Sequence, residues 1–302
     1  FDLLDLALAE NARAGDHAPL FWRLVLQSIG GSLTDRQTVS GERQIGLALA
    51  KQLGFGEDVP VESLRQIPPE KLVAASAALP PEHYFDAVVD EQTLPVHPLE
   101  VLRRAQIRGI EVIVGTNEDE ALMYLDDDVT AGDIEDWITR NAPQHREALQ
   151  ALAASAEDLR QALNRFISAH DYHCPAQYVA RQANAGGGSG WVYRFTRRRP
   201  GAGGKSLGAY HGAELPYVFN RHDDWLPTGQ VDRDLTAAVQ DYWVQFARYG
   251  DPNLPGRPAW PKHTRSNPAV LELGDRVGEM ENDSESLCGF LWPGEGAEQV
   301  KQ

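Results

Sequence analysis

The sequence predicts an α/β fold, because short β-branched or aromatic runs alternate along its 302 residues with longer stretches whose apolar residues recur at helical spacing. The clearest strand is Ile110-Glu111-Val112-Ile113-Val114, ended by Gly115. A second is Trp191-Val192-Tyr193-Arg194-Phe195, where bulky aromatics alternate with other residues; the glycine-rich patches at 186–190 and 201–204 read as loops on either side of it. A weaker third is Val270-Leu271-Glu272-Leu273, stopped by Gly274-Asp275. Between them, Ile45, Leu49 and Leu53 share one helix face, with Ser40 as N-cap and Gly54 after the end. Leu235, Val239, Tyr242, Trp243 and Phe246 form a second stripe, closed by Gly250 and Asp251-Pro252. The pattern from about 130 to 185 is helical throughout and is expected to form a cap or lateral subregion.

Charge narrows the partners. Twenty-eight basic residues against 44 acidic ones give a net charge of −16, which disfavours nucleic acid and anionic membranes, since both need a basic footprint. The acidic residues are dispersed, with short clusters such as Asp126-Asp127-Asp128, and read as a solubilising surface; steering of cationic substrates is the alternative. Arg197-Arg198-Arg199 reads as a solvated loop. No run reaches the roughly 18–20 apolar residues of a membrane helix. The chain starts at Phe1 with no leader pattern before it, and the crowding of Phe1, Leu3, Leu4, Leu6 and Leu8 suits a helix cut from a buried setting.

Two loops carry the candidate chemistry. Gly208-Ala209-Tyr210-His211-Gly212 sets a histidine in a glycine-flanked loop before the apolar turn Leu215-Pro216-Tyr217-Val218-Phe219. A histidine that moves protons needs such a mobile backbone anchored by a buried element. The other loop, Gly115-Thr116-Asn117-Glu118-Asp119-Glu120-Ala121, follows the Ile110–Val114 strand, and functional groups of open α/β sheets gather at strand carboxyl ends. Glu118, Asp119 and Glu120 are thereby candidates to orient an imidazole, although acidic residues at such a place also suit an ordinary capped helix start.

Taken together these segments resemble the type-B carboxylesterase and cholinesterase family. That family has a strand, then Gly-Thr-Asn-x-Asp-Glu-Gly, matched here through Glu120 with Ala121 in place of the last glycine; 91 residues later His211 follows in the family's order. The segment 241–253, ending Gly250-Asp251-Pro252-Asn253, and Pro258-Ala259-Trp260-Pro261 are similar to the family's helix and turn. Leu20-Phe21-Trp22-Arg23-Leu24-Val25-Leu26-Gln27-Ser28 is similar to the segment after its nucleophile helix, and Val89-Asp90 and Leu94-Pro95 to its approach to the acid strand.

The resemblance implies the carboxyl-terminal portion of an α/β-hydrolase fold, one domain over 1–302 with a central, mostly parallel sheet flanked by helices. It implies a carboxylic ester hydrolase that works through a Ser-His-Glu triad and an acyl-enzyme, with His211 as acid–base, Glu120 as orienting carboxylate and Ser28 behind the acid. No metal or organic cofactor is implied, and the substrate would be a small-molecule ester. The nucleophile is expected upstream of residue 1, on an amino-terminal segment of the same enzyme that would be this chain's partner. The sequence's single Gly-x-Ser-x-Gly match, Gly204-Lys205-Ser206-Leu207-Gly208, lacks a preceding strand and is set aside. Two other functions stay open: a non-catalytic cholinesterase-like binding or adhesion module, and an amide or carbamate hydrolase on the same scaffold.

Cys174 and Cys288 are the sequence's two cysteines. Their positions resemble the partners of a disulfide in secreted family members, which implies a secreted or periplasmic location. Two free thiols would fit the count equally well, and His170, His173 and Cys174 also have the spacing of metal ligands on a helix. Where the family carries an aspartate five residues before this cysteine, the sequence has Ala169, with Asp171 nearby.

Overall fold

The computed structural model describes residues 21–292, except 30–32, 34–36, 81–82, 84, 86, 91, 105–107, 157 and 223. Phe1, Leu3, Leu4, Leu6, Leu8 and Leu20 lie outside the described residues. Among the described residues the central sheet has five strands: β1 (Arg23–Gln27), then, after the two-residue strands β2 (Gln37–Thr38) and β3 (Val88–Val89) that pair apart from it, β4 (Glu111–Asn117), β5 (Ser189–Phe195), β6 (Val270–Leu273) and β7 (Val277–Met280). Their order is β1-β4-β5-β6-β7, parallel except for the hairpin of β6 with β7.

Side chains of a strand point alternately to its two faces, and both faces are buried here, as a parallel sheet requires. On one face Leu24, Leu26, Val112, Val114, Val192 and Val270 join a largely aliphatic core with the helix Cys174–Ala185 and the helices of 131–168. On the other, Ile113, Trp191, Tyr193, Phe195, Leu271 and Leu273 pack against Leu235, Val239, Tyr242 and Phe246 of the helix Gln230–Tyr249. Burying side chains of this size stabilises by about 1.5–3 kcal/mol each relative to exposure. The helical stripe read from the sequence is the one that faces the sheet. The stretch 131–185 is helical, with a π-turn at Ala169–His173.

Several local readings are corrected. Gly115 does not end β4 but lies inside it, opposite Tyr193, where an added Cβ would fall 1.8 Å from the tyrosine ring. Ser189-Gly190 is not loop but the start of β5, because the helix Cys174–Ala185 crosses so closely that a Cβ at 190 would meet the Ala180 carbonyl oxygen at 2.3 Å. Residues 202–207 form a short helix. The helix read through Ile45, Leu49 and Leu53 is Val39–Gln52, and Thr38 rather than Ser40 caps it: Thr38 has the extended backbone of a cap, and its hydroxyl accepts from the Gly41 N–H.

Arg197-Arg198-Arg199 is not a solvated run. Arg197 pairs with Asp232 (2.8 Å) and Asp275, Arg198 with Asp119, and the buried Arg199 donates to Tyr217 Oη and contacts His222. Their partners lie on distant segments, so local charge spacing gave no sign of them. Cys174 and Cys288 form a disulfide that ties the helix Cys174–Ala185 to the helix Glu285–Leu291 across 114 residues. This rules out Cys174 as a thiolate ligand. His170 bonds Asp171 and His173 bonds the Asn117 carbonyl, and no cluster able to hold a metal occurs among the described residues.

Candidate active site

The site lies at the carboxyl ends of β1, β4 and β5, as ligand sites do in open α/β sheets. The parallel register of β1 with β4 ends at Gln27 beside Gly115, and the next residue, Ser28, donates its backbone N–H to the Gly115 carbonyl. Ser28 has a positive φ of 52°, sparsely populated for a residue with a side chain. This turn aims its hydroxyl at the loop after β4, where it donates to Glu120 Oε1 at 2.6 Å. The Asn117 N–H donates to the same oxygen at 2.7 Å. Glu120 Oε2 faces His211 Nδ1 at 2.7 Å.

Of the three acidic residues in the loop, only Glu120 meets the imidazole. Its side chain is 0% exposed, against 36% for His211. Asp119 turns the other way to Arg198, and Glu118 pairs with Arg194 at 2.9 Å. Burial raises the Glu118 carboxyl, but Arg194 and its neighbours outweigh that and leave it below the ordinary value. His173 lies behind the loop; burial, with Arg194 beside it, pushes its pKa down to about 3. It is therefore neutral, and its Nε2–H donates to the Asn117 carbonyl at 3.0 Å.

His211 sits between Gly208 and Gly212, whose φ values of 67° and 87° lie in the left-handed region that glycine adopts without strain. The hydrogen bond that His211 Nδ1–H donates to Glu120 raises the His211 pKa above 6.5; partial burial opposes it, and the charges of Glu120 and Glu214 add to the rise. With Nδ1 turned to the carboxylate, Nε2 is on the opposite edge of the ring, where a proton can be taken up or given. Tyr172 and Tyr124 flank the imidazole, with ring centroids 5.6 and 6.4 Å away. Burial pushes the Tyr172 hydroxyl up to about 12, so it stays protonated. Asp171 binds His170 instead of the histidine loop, and so does not stand in for the aspartate that Ala169 replaces.

Two residues of the site were not singled out from the sequence, Asn117 and Glu214. Asn117 Nδ2 donates to the Tyr210 carbonyl at 2.7 Å and to Glu214 Oε2 at 2.6 Å, and Gln27 Nε2 donates to Glu214 Oε1 at 2.9 Å. Burial raises the Glu214 carboxyl. Glu214 lies three residues after His211, a spacing the sequence does offer, but its partners are 97 and 187 residues away. Ser206, from the lone Gly-x-Ser-x-Gly match, is exposed on the short helix 202–207, its hydroxyl donating to the Gly203 carbonyl.

The family model described as the carboxylesterase family matches residues 7–290. The chain is 30% identical over 287 residues to phenmedipham hydrolase of Pseudarthrobacter oxydans, covering 87% of this chain and 56% of that protein. It is 26% identical over 307 residues to acetylcholinesterase of Bungarus fasciatus, covering 90% and 50%. A carboxylesterase of Geobacillus stearothermophilus superposes with a TM-score of 0.74 at 24% identity, over 95% of this chain and 61% of that one. The chain thus spans about half the length of the curated relatives it matches, and its fold is that of the α/β-hydrolase carboxylesterases. By the extent of that match, the chain belongs to the carboxylesterase family, in its type-B, cholinesterase-like branch.

Proposed function

We propose that this chain supplies the acid–base half of a serine carboxylic ester hydrolase. The observation that carries the reading is the 2.7 Å contact of His211 Nδ1 with a fully buried Glu120, itself held by the Ser28 hydroxyl and the Asn117 N–H. A carboxylate fixed in this way holds the imidazole in the Nδ1–H tautomer and stabilises the imidazolium once it forms. Nε2 then takes the proton from a serine hydroxyl as it attacks the ester carbonyl. It returns that proton to the departing alcohol, and water cleaves the acyl-enzyme by the same two steps. Glu120 and His211 are the catalytic residues in this reading, and Ser28 is a positioning residue behind the acid.

The nucleophile is assigned to a segment preceding residue 1, together with the oxyanion donors. Ser206 is a poor candidate, since its hydroxyl is turned back into its own short helix and no strand leads into it. The substrate class is a small-molecule ester, in keeping with the family match. The Cys174–Cys288 disulfide favours an oxidising compartment, hence a secreted or periplasmic enzyme; no helix among the described residues is long and apolar enough to cross a membrane.

A fluorophosphonate probe tests the assignment. Applied to the full polypeptide, it should form one adduct, on a serine amino-terminal to Phe1, and abolish turnover of p-nitrophenyl acetate. An adduct on Ser206, or ester turnover by residues 1–302 alone that depends on Ser206, would overturn it. A full polypeptide that takes up no probe and hydrolyses no ester would favour the binding-module reading.

A further inference from the structure

Asp119 stands beside the orienting carboxylate, is 1% exposed, and has no part in the chemistry proposed above. Its bonds run to the histidine loop. Oδ2 accepts the Ala209 N–H at 2.8 Å, while the Asp119 N–H donates to the Ala209 carbonyl at 3.0 Å. Both backbone groups of Ala209, two residues before His211, are therefore held by one residue of the acid loop, and Asp119 and Tyr210 form an isolated parallel bridge. Asn117, two residues earlier, secures the Tyr210 carbonyl.

The carboxylate is itself held from two further elements. Arg198, from the segment after β5, donates Nε to Oδ2 and Nη2 to Oδ1, each at 3.0 Å. Asn164, on the helix Leu159–Ser168, donates to Oδ1 at 3.1 Å. The fit against the histidine loop leaves no room for a side chain: a Cβ on Gly208 would fall 2.2 Å from Oδ2. A bidentate arginine on a buried carboxylate is a geometrically specific contact as well as a strong one. Burial raises the Asp119 carboxyl while the Ala209 N–H and Arg198 oppose the rise, so the ionised form depends on these donors.

We propose that Asp119, gripped by Arg198 and Asn164, is the positioning residue that seats the histidine loop on the acid loop through Ala209, and so sets the alignment of His211 with Glu120. This rests on the reading of His211 and Glu120 as the acid–base pair. A misplacement of about 1 Å at a reacting group costs on the order of 100-fold in rate, and the clamp acts on the backbone two residues from the imidazole. Substrate binding does not pass through Asp119, so the loss falls on kcat.

The test uses Asp119→Asn in the full polypeptide, which keeps the side-chain volume but removes the charge and one acceptor. Turnover of p-nitrophenyl acetate should fall roughly 10- to 100-fold in kcat with KM changed less than about two-fold, and the downfield Nδ1–H proton resonance of His211 should be lost to exchange. Arg198→Gln, made from the half-exposed side of the pair, should lower kcat by a smaller factor with the same unchanged KM, and it decides the matter if Asp119→Asn does not fold. Wild-type kcat together with an intact Nδ1–H resonance in the folded variants would overturn the clamp. His211→Ala separates the two levels of the argument. If it leaves turnover intact, the reading of the pair is wrong; if it abolishes turnover while Asp119→Asn does not lower it, the clamp alone is wrong.

Discussion

The acid loop and the histidine loop meet through the Glu120–His211 contact and the bonds of Asn117 and Asp119 but are built on opposite plans. The acid loop continues β4 without a break, and Asn117, Asp119 and Glu120 are 0%, 1% and 0% exposed. The histidine loop runs between two glycines of positive φ, and its imidazole is partly open and flanked by tyrosine rings. The contrast fits the roles proposed for the two groups. A carboxylate kept from water needs fixed donors to remain ionised, whereas an imidazole that exchanges protons with a substrate needs access and some freedom to reorient.

Substitutions at the two ends of the shared hydrogen bond should separate activity from stability. His211→Ala is expected to lower kcat by roughly 10⁶-fold and Glu120→Gln by roughly 10⁴-fold, the losses seen when a triad histidine is removed or its tautomer is no longer fixed. Their effects on folding should differ. Glu120→Gln presents an amide to the Ser28 hydroxyl and the Asn117 N–H, at a cost of about 1–3 kcal/mol for imperfectly satisfied buried groups. His211→Ala should cost less than about 1 kcal/mol, because a partly exposed side chain has little packing to lose. Denaturant titration of both variants checks this, and equal destabilisation would break the contrast.

A smaller difference is expected between glycines of the two segments. Gly115→Ala places a methyl inside the Tyr193 ring position, overpacking that costs about 1–3 kcal/mol or more. Gly212→Ala meets nothing closer than Leu215 at 3.7 Å, and carries only the strain of a φ of 87°, about 1–3 kcal/mol at most. Thermal unfolding should rank Gly115→Ala as the worse for stability, while Gly212→Ala should be the worse for kcat relative to its stability loss. The reverse ranking would mean that the histidine loop is as tightly packed as the strand.

How much of this was legible in the sequence differs between the same two regions. The strand before the acid and the apolar stripe of 235–246 could be read from local pattern, and Glu120 and His211 were singled out by the resemblance of their loops to the family's motifs. β1 was not recognised as a strand, since Arg23 and Gln27 at its ends leave an apolar run of only Leu24, Val25 and Leu26. β7, Val277-Gly278-Glu279-Met280, has no periodicity to find. The role of Gly115 was missed because it is set by Tyr193, 78 positions along the chain and adjacent only in the sheet. The arginines at 197–199 were misread for a similar reason: a charge run is normally solvated, and Asp119, Asp232, Tyr217 and His222 become its partners only on folding. Asn117 and Glu214 belong to the same class. The two candidate loops are each recognisable as a local motif, and the contacts that support them are not.

The central claim is that the fixed carboxylate of Glu120 tunes the more exposed imidazole of His211, and the pH dependence of kcat/KM in the full polypeptide tests it most directly. In the proposed mechanism His211 must be neutral to accept the serine proton, so activity should rise as pH increases through its pKa. Because the hydrogen bond donated to Glu120 raises that pKa, the midpoint of the acid limb should lie above 6.5, and the pair's contribution to folding, full below 6.5, should fade as pH rises through the same midpoint. In Glu120→Gln the limb should move to lower pH while the plateau rate drops. A limb at or below 6.5 in the native protein, unmoved by Glu120→Gln, would contradict the account.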